Sequence, residues 1–145
     1  AAGPYSHELI SEIESNLKRY RFFKIHQSYT GKQKVTYTPL AAAPQIEGLF
    51  QEHFEQEAER INSFLAKFKG KTWSECEVIS TLYAVWNNRI CLNKTISIDL
   101  LKQDFLNWDD QKAKYADDLD AALLWMNENN VVPEGWGRVI EAKKN

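Results

Sequence analysis

Hydrophobic and polar positions follow two different periods in the first half of the chain. Residues 4–20 and 45–69 repeat apolar side chains at the three- and four-residue spacing of an amphipathic helix. Residues 22–29 and 33–38 alternate apolar and polar side chains instead, which is typical of strands. We therefore predict that residues 1–70 form a domain made of a helix, a β-hairpin and a second, long helix.

The second half of the chain predicts three shorter helices. Thr72 and Glu75 have the spacing of a capping box, so a helix is expected over residues 73–88. Apolar side chains at helical spacing predict a second helix over residues 97–108 and a third over residues 115–129. These three helices belong to a unit that we expect to be separate from the N-terminal part.

A small hairpin is expected after the third helix. Residues 131–132 and 137–140 have strand-like composition and lie on either side of a Pro-Glu-Gly turn. Three helices followed by such a flap resemble a winged helix-turn-helix domain in the order of elements, and no residue motif supports the resemblance. The predicted fold is α+β and mostly α-helical, with the N-terminal helix, basic hairpin and long helix packed on a winged-helix-like unit of residues 71–145.

Charge is distributed unevenly along this chain. Residues 1–14 carry a net charge of −3, residues 15–46 carry +6 and residues 47–145 carry −5, so the total of −2 conceals a dipolar distribution. Between Glu14 and Glu47 there is no carboxylate. Asymmetry of this kind informs about binding partners and says little about the fold. The six basic residues of this interval are Lys18, Arg19, Arg21, Lys24, Lys32 and Lys34.

The predicted hairpin places part of this positive charge on one face. Alternation puts Lys24, His26 and Lys34 on the polar face, together with hydroxyl side chains. A two-stranded ribbon can track phosphates, and Tyr29 could stack on a base. We therefore predict that the six basic residues contact the backbone of DNA or RNA and that Tyr29 stacks on a base.

Two alternatives to nucleic-acid binding remain open for the basic residues. They could form an ordinary solvated face, or they could dock on the acidic face of the long helix at Glu52, Glu55 and Glu59. The third predicted helix of the second half is a poor candidate for contacting DNA. It carries Asp117, Asp118 and Asp120, and carboxylates facing phosphates lower affinity.

A protein partner is expected at the C-terminal unit. All five tryptophans lie in the second half of the chain. Leu124 and Trp125 lie beside the predicted buried stripe of their helix, and Trp136 lies at the tip of the predicted flap. Exposed tryptophan often anchors an interface, so we predict Leu124, Trp125 and Trp136 to be partner-binding residues. The alternative is that these rings cover the small core.

Catalytic, metal and cofactor chemistry find little support in the sequence. There is no metal-ligand spacing, no nucleophile motif and no glycine-rich phosphate loop, so no catalytic residue, metal or cofactor is predicted. His53 and Glu57 could form an ion pair on the long helix, and an enzyme that uses them is the third hypothesis. The leading prediction is a non-catalytic nucleic-acid-associated module, either a regulator or an accessory domain of a larger enzyme, and the alternative is a protein–protein assembly module.

The two cysteines indicate a reducing environment. Cys76 and Cys91 are about 22 Å apart if one helix joins them, which is beyond disulfide range. We expect free thiols and a cytoplasmic protein. No apolar run approaches the roughly 20 residues needed to cross a bilayer, so no membrane contact is predicted.

Overall fold

A computed structural model describes residues 6–28 and 34–141, and for Lys34 it describes the backbone alone. The protein is α+β and mostly helical, as the sequence predicts. The chain divides into two compact units, Ser6–Ala66 and a second that begins at Lys67.

The first unit begins with a capped helix and a hairpin. The N–H of Leu9 donates to Oγ of Ser6 at 3.3 Å, so Ser6 caps the N-terminus of the helix. The hairpin pairs its strands antiparallel, with Ile25 opposite Tyr37. Elements of this unit are α1 His7–Arg19, β1 Phe23–Ser28, β2 Lys34–Pro39, α2 Gln45–Phe54, a 3₁₀ turn Glu55–Glu57 and α3 Ala58–Ala66.

The single long helix predicted over residues 45–69 is wrong. The backbone of Glu55 has a φ of 26° and a ψ of −90°, which ends α2 at Phe54. One 3₁₀ turn follows before α3 begins at Ala58. Because the α-helical backbone is interrupted at Glu55, the predicted apolar stripe is not carried by one continuous helix. Of the residues described between 6 and 66, Ala58 alone is buried.

The second unit contains the hydrophobic core. The capping box at Thr72 and Glu75 forms as predicted, and Ser97 caps the next helix. The third predicted helix, over residues 115–129, is only partly α-helical. Its first residues belong to a 3₁₀ helix, and the α-helix begins at Leu119. Elements of this unit are α4 Trp73–Cys91, α5 Ile98–Leu106, a 3₁₀ helix Asp110–Asp118 and α6 Leu119–Glu128. Core residues include Ile79, Leu82, Val85, Leu101, Phe105, Leu119, Leu123 and Met126.

Residues 131–141 form no strand, so the predicted wing-like hairpin is wrong. Side chains of α4 meet the backbone of this segment instead. Oδ1 of Asn87 accepts from the N–H groups of Gly135 and Trp136 at 3.1 and 3.2 Å, and its Nδ2 donates to the Trp136 carbonyl at 2.9 Å. Asn88 pairs in the same way with Ile140. Backbone groups of Gly135, Trp136 and Ile140 are thus bonded to asparagine amides and not to a second strand.

Candidate nucleic-acid interface

The end of α1 places an arginine in an unusual backbone conformation. The N–H of Phe22 donates to the Leu17 carbonyl at 2.9 Å, and the N–H of Arg21 donates to the Lys18 carbonyl at 3.1 Å. These two bonds define a Schellman motif, in which the residue after the cap is left-handed and is usually glycine. Arg21 occupies that position with a φ of 55°. A guanidinium therefore projects from the point where α1 turns into the hairpin.

Two other helices end in the same motif, with asparagine at the left-handed position. Asn93 follows α4 with a φ of 51°, and Asn130 follows α6 with a φ of 52°. Asparagine tolerates this region better than other residues with a Cβ. Arg21 is thus the costliest occupant of the three equivalent positions.

The hairpin register separates an apolar face from a polar face. Lys24 lies opposite Thr38, and His26 lies opposite Thr36. These four side chains share one face, and all four are exposed. The opposite face carries Phe23, Ile25, Val35 and Tyr37, as predicted.

A hydrogen bond ties the apolar face of the hairpin to α1. The hydroxyl of Tyr37 donates to Oε1 of Glu14 at 2.6 Å. Glu14 is the last carboxylate before the basic interval, and this bond directs it toward the apolar face of the ribbon. The polar face of Lys24 and His26 therefore keeps its positive character.

The basic side chains at the end of α1 and the start of β1 are exposed. Lys18, Arg19, Arg21 and Lys24 are all exposed. Within residues 6–28 and 34–141, no carboxylate oxygen lies within 4.0 Å of their charged nitrogens. The guanidinium of Arg19 lies 5.6 Å from the centre of the Tyr20 ring.

The proposed docking of these residues on the acidic helix face is not observed. Glu52, Glu55 and Glu59 are exposed, and in the part of the chain that is described none forms an ion pair with a residue of the basic interval. The predicted pair of His53 and Glu57 is also not formed. The break after Phe54 removes their helical spacing, and Glu57 pairs with Arg60 at 3.0 Å.

Three predicted contact residues cannot be placed. Tyr29 and Lys32 lie outside the described residues, as does the side chain of Lys34. The backbone of Lys34 pairs with Ser28, which is on the same face as Lys24.

The predicted partner-binding residues have different environments. Leu124 and Trp136 are exposed, at 59% and 69%. Trp125 is half-buried, its ring centre lies 5.3 Å from that of Phe68, and the ammonium of Lys71 lies 4.7 Å from the centre of the Trp125 ring. Trp125 therefore packs against the core, in line with the alternative that such rings cover it.

A groove of about 390 Å³ lies beside Trp125. Lys71, Glu75 and Asp118 contribute its charged groups. The N–H of Thr72, then Lys71 and the Thr72 hydroxyl, donate to Glu75 and lower its pKa to about 2. The Glu75 carboxylate thus caps α4 and is ionised at neutral pH. It does not supply the groove with a group that exchanges protons near neutrality.

A buried ionic cluster was not predicted from the sequence. The ammonium of Lys112 lies 2.7 Å from Oε1 of Glu77, and the Tyr115 hydroxyl donates to Oε2 of Glu77 at 2.8 Å. Lys112 is fully buried, and the Glu77 side chain is 8% exposed. Burial raises the pKa of Glu77, but the hydrogen bonds from Lys112 and Tyr115 outweigh burial and hold the pKa below its usual value. Its atoms cannot reach a solvent-borne ligand, so the cluster is structural.

Metal ligation and membrane insertion find no support in the described residues. No group of three or more His, Cys, Asp or Glu side chains among them is placed to hold a metal ion. None of the helices formed by the described residues is both long enough and apolar enough to cross a membrane. Neither protein-family models, nor curated proteins, nor solved structures yield a match to this chain.

Proposed function

We propose that this protein is a non-catalytic nucleic-acid-associated module that contacts the phosphate backbone through the end of α1 and the polar face of the hairpin. The observation that carries the proposal is the exposure of Lys18, Arg19, Arg21 and Lys24 without a carboxylate within 4.0 Å among the described residues. Exposed cations of this kind release counterions when they meet phosphates, and that release favours binding.

The polar face adds hydrogen-bond donors beside the cations. Side chains of Lys24 and Thr38 are directly opposite, at the roughly 5 Å Cβ spacing of a cross-strand pair. Lys24 and His26 are two residues apart on one strand, which separates them by about 7 Å. Hydroxyl and ammonium groups at this spacing suit contacts along one phosphate backbone, with no requirement for a particular base sequence. A regulator or an accessory domain of a larger nucleic-acid-processing enzyme would use such a surface.

The test is an oligonucleotide titration at several salt concentrations. Binding of a duplex and of a single strand should weaken as salt rises, and each lost phosphate contact should reduce the slope for the duplex by about 0.9. Lys24→Glu should lower affinity at low salt. Lys94→Glu, at an exposed position outside the basic interval, is the matched control and should change affinity little. Absence of binding at low salt, or equal effects of the two reversals, would remove the proposal.

Protein assembly is the second candidate, and the exposure of Leu124 and Trp136 favours it. In that case the C-terminal unit would bind a protein partner through these apolar side chains. Trp136→Ala should then abolish co-purification with a partner while leaving oligonucleotide binding intact. Free Cys76 and Cys91 fit a reducing compartment such as the cytoplasm for either function.

A further inference from the structure

Tyr20 is an exposed aromatic residue within the basic end of α1. It is 57% exposed, and Lys18, Arg19 and Arg21 flank it in the sequence. A tyrosine ring has a flat apolar face, and leaving that face in water forgoes the free energy of its burial. Single exposed rings are common on protein surfaces, so the surroundings of this ring decide whether it has a use.

The hydroxyl of Tyr20 does not hold the fold together. The other three tyrosines in the described part of the chain, Tyr37, Tyr83 and Tyr115, each share a hydrogen bond with another side chain through the hydroxyl. Within residues 6–28 and 34–141 the hydroxyl of Tyr20 forms no such bond. Removal of this hydroxyl therefore costs the fold no hydrogen bond among these residues.

The backbone and the ring of Tyr20 are nevertheless held in place. Tyr20 is the C-cap of α1, and its N–H donates to the Asn16 carbonyl at 3.0 Å. The Arg19 guanidinium lies 5.6 Å from the centre of the Tyr20 ring, and the centre of the Phe22 ring lies 6.0 Å from it. Because Phe22 is half-buried, this contact restrains the exposed ring against the folded chain. A ring that is restrained before binding loses less entropy when a ligand stacks on it.

The contact with Phe22 also places Tyr20 at the end of the polar face of the hairpin. The N–H of Leu40 donates to the Phe22 carbonyl at 2.9 Å, which continues the antiparallel register of the two strands by one residue. Side chains alternate along such a register, so Phe22 lies on the same side as Lys24. The polar face thus carries cations and hydroxyl groups along its length and aromatic rings at the end next to α1.

We propose that Tyr20 stacks on an unpaired base and that the ligand of this surface is single-stranded nucleic acid, which rests on the phosphate contacts proposed above. In a duplex the faces of the bases are covered by their neighbours, so a ring beside the backbone has no base face to stack on. In a single strand these faces are open, and every base offers one. Lys24 and its neighbours then hold the backbone while Tyr20 holds a base, without selecting a sequence.

Tyr20→Ala separates stacking from phosphate contact. Affinity for a single strand should fall roughly 5- to 150-fold, which corresponds to about 1–3 kcal/mol for stacking on one base. Affinity for the duplex of the same sequence should change little. No charge is removed, so the salt dependence of binding should stay as in the wild type. DNA and RNA versions of the strand should show the same loss, because stacking does not involve the sugar.

Two further measurements report on the ring directly. The emission of 2-aminopurine in the single strand falls when this base stacks, so binding of the wild type should quench it and binding of Tyr20→Ala should not. Tyr20→Phe keeps the ring and should quench and bind as the wild type does. The wild type should also bind an abasic strand of equal length at least about fivefold more weakly than the base-bearing strand. The abasic comparison needs no variant, so it holds even if Tyr20→Ala fails to fold.

Trp73→Ala is the matched control, since Trp73 is 67% exposed and lies outside the basic interval. It should leave the affinities for single strand and duplex unchanged. Equal losses for the two ligands on Tyr20→Ala, no loss for either, or equal binding of abasic and base-bearing strands would overturn the stacking role and leave the phosphate contacts standing. A wild type that binds no oligonucleotide at low salt would remove the proposed function and the stacking role together.

Discussion

Lys112 and Glu77 form a buried ion pair, with 2.7 Å between the ammonium nitrogen and Oε1. The second oxygen of Glu77 accepts from Tyr115, so both carboxylate oxygens are bonded. The 3₁₀ helix Asp110–Asp118 is joined to α4 through these contacts. A pair that is shielded from water behaves very differently from a surface pair when one partner is removed.

Lys112→Met should lower the free energy of unfolding by about 3–5 kcal/mol, because it leaves the Glu77 carboxylate buried without a counter-charge. Urea denaturation followed by circular dichroism measures the change. Lys102→Met provides the control, since Lys102 pairs with a largely exposed Asp120 and should contribute about 1 kcal/mol or less. Similar losses for the two substitutions would show that the pair of Lys112 and Glu77 is not effectively buried.

The stability of the second unit should fall in acid through Glu77. The folded protein holds the pKa of Glu77 below its ordinary value, so this residue stabilises the fold fully above the ordinary pKa of about 4.5. The contribution is lost as the pH falls through the lowered folded-state pKa. In the Lys112→Met protein the Glu77 carboxylate is buried without a neighbouring ammonium, so its pKa should be higher. The loss of stability in acid should then be weaker or reversed. Unfolding free energies measured between pH 6 and about 2 on both proteins test the difference.

Arg21→Gly should have opposite effects on stability and on nucleic-acid affinity. Glycine adopts the left-handed conformation at this position without a Cβ penalty, so the unfolding free energy should rise by about 0.5–1 kcal/mol. The same change removes one exposed cation, so oligonucleotide affinity and its salt dependence should fall. Asn93→Gly alters an equivalent position after α4 and should leave affinity unchanged. An Arg21→Gly protein that binds as tightly as the wild type would exclude Arg21 from the interface.

Two glycines of the last segment should differ in their tolerance of alanine. Both have positive φ, 82° at Gly135 and 74° at Gly137, so both substitutions carry a conformational cost of roughly 1 kcal/mol. Gly135→Ala adds an overlap with Ile90, and overpacking costs a further 1–3 kcal/mol or so. Thermal unfolding should therefore show a clearly larger loss for Gly135→Ala. Equal losses would mean that Ile90 moves aside freely.

Caps and the hairpin register were predictable because they depend on short-range chemistry. Ser6, Thr72 and Ser97 each satisfy the first free N–H groups of a helix, and the sequence shows them directly. The alternation of Lys24 and His26 with apolar residues sets the faces of the hairpin in the same way.

The break at Glu55 could not be predicted from local preference. Glutamate favours helices, and neither glycine nor proline marks the position. The apolar spacing also continues across the break, since Phe54 and Ala58 are four residues apart. A left-handed glutamate gives no signal in the sequence, so only the folded chain reveals it.

The wing-like hairpin was predicted from strand-like residues. The prediction was wrong because the backbone of these residues does not pair with a second strand. Val131 and the residues near Ile140 do suit extended structure. In the structure the Val131 N–H donates to the Met126 carbonyl, and both backbone groups of Ile140 are bonded to the side-chain amide of Asn88. Two adjacent asparagines directly after the apolar residues Val85 and Trp86 of α4 are the signal that could have pointed to this contact. Burial of Lys112 had no comparable signal, because its partner Glu77 is 35 residues away.

All five tryptophans lie in the unit that begins at Lys67, and none lies in the unit Ser6–Ala66. Intrinsic emission excited at the red edge of indole absorption therefore reports on the second unit alone, whereas ellipticity sums the helices of both. Denaturation curves from these two signals need not coincide, and a separation between them would give each unit its own midpoint. The distribution of a single residue type thus supplies a built-in, label-free probe for dissecting how the two halves of the chain melt.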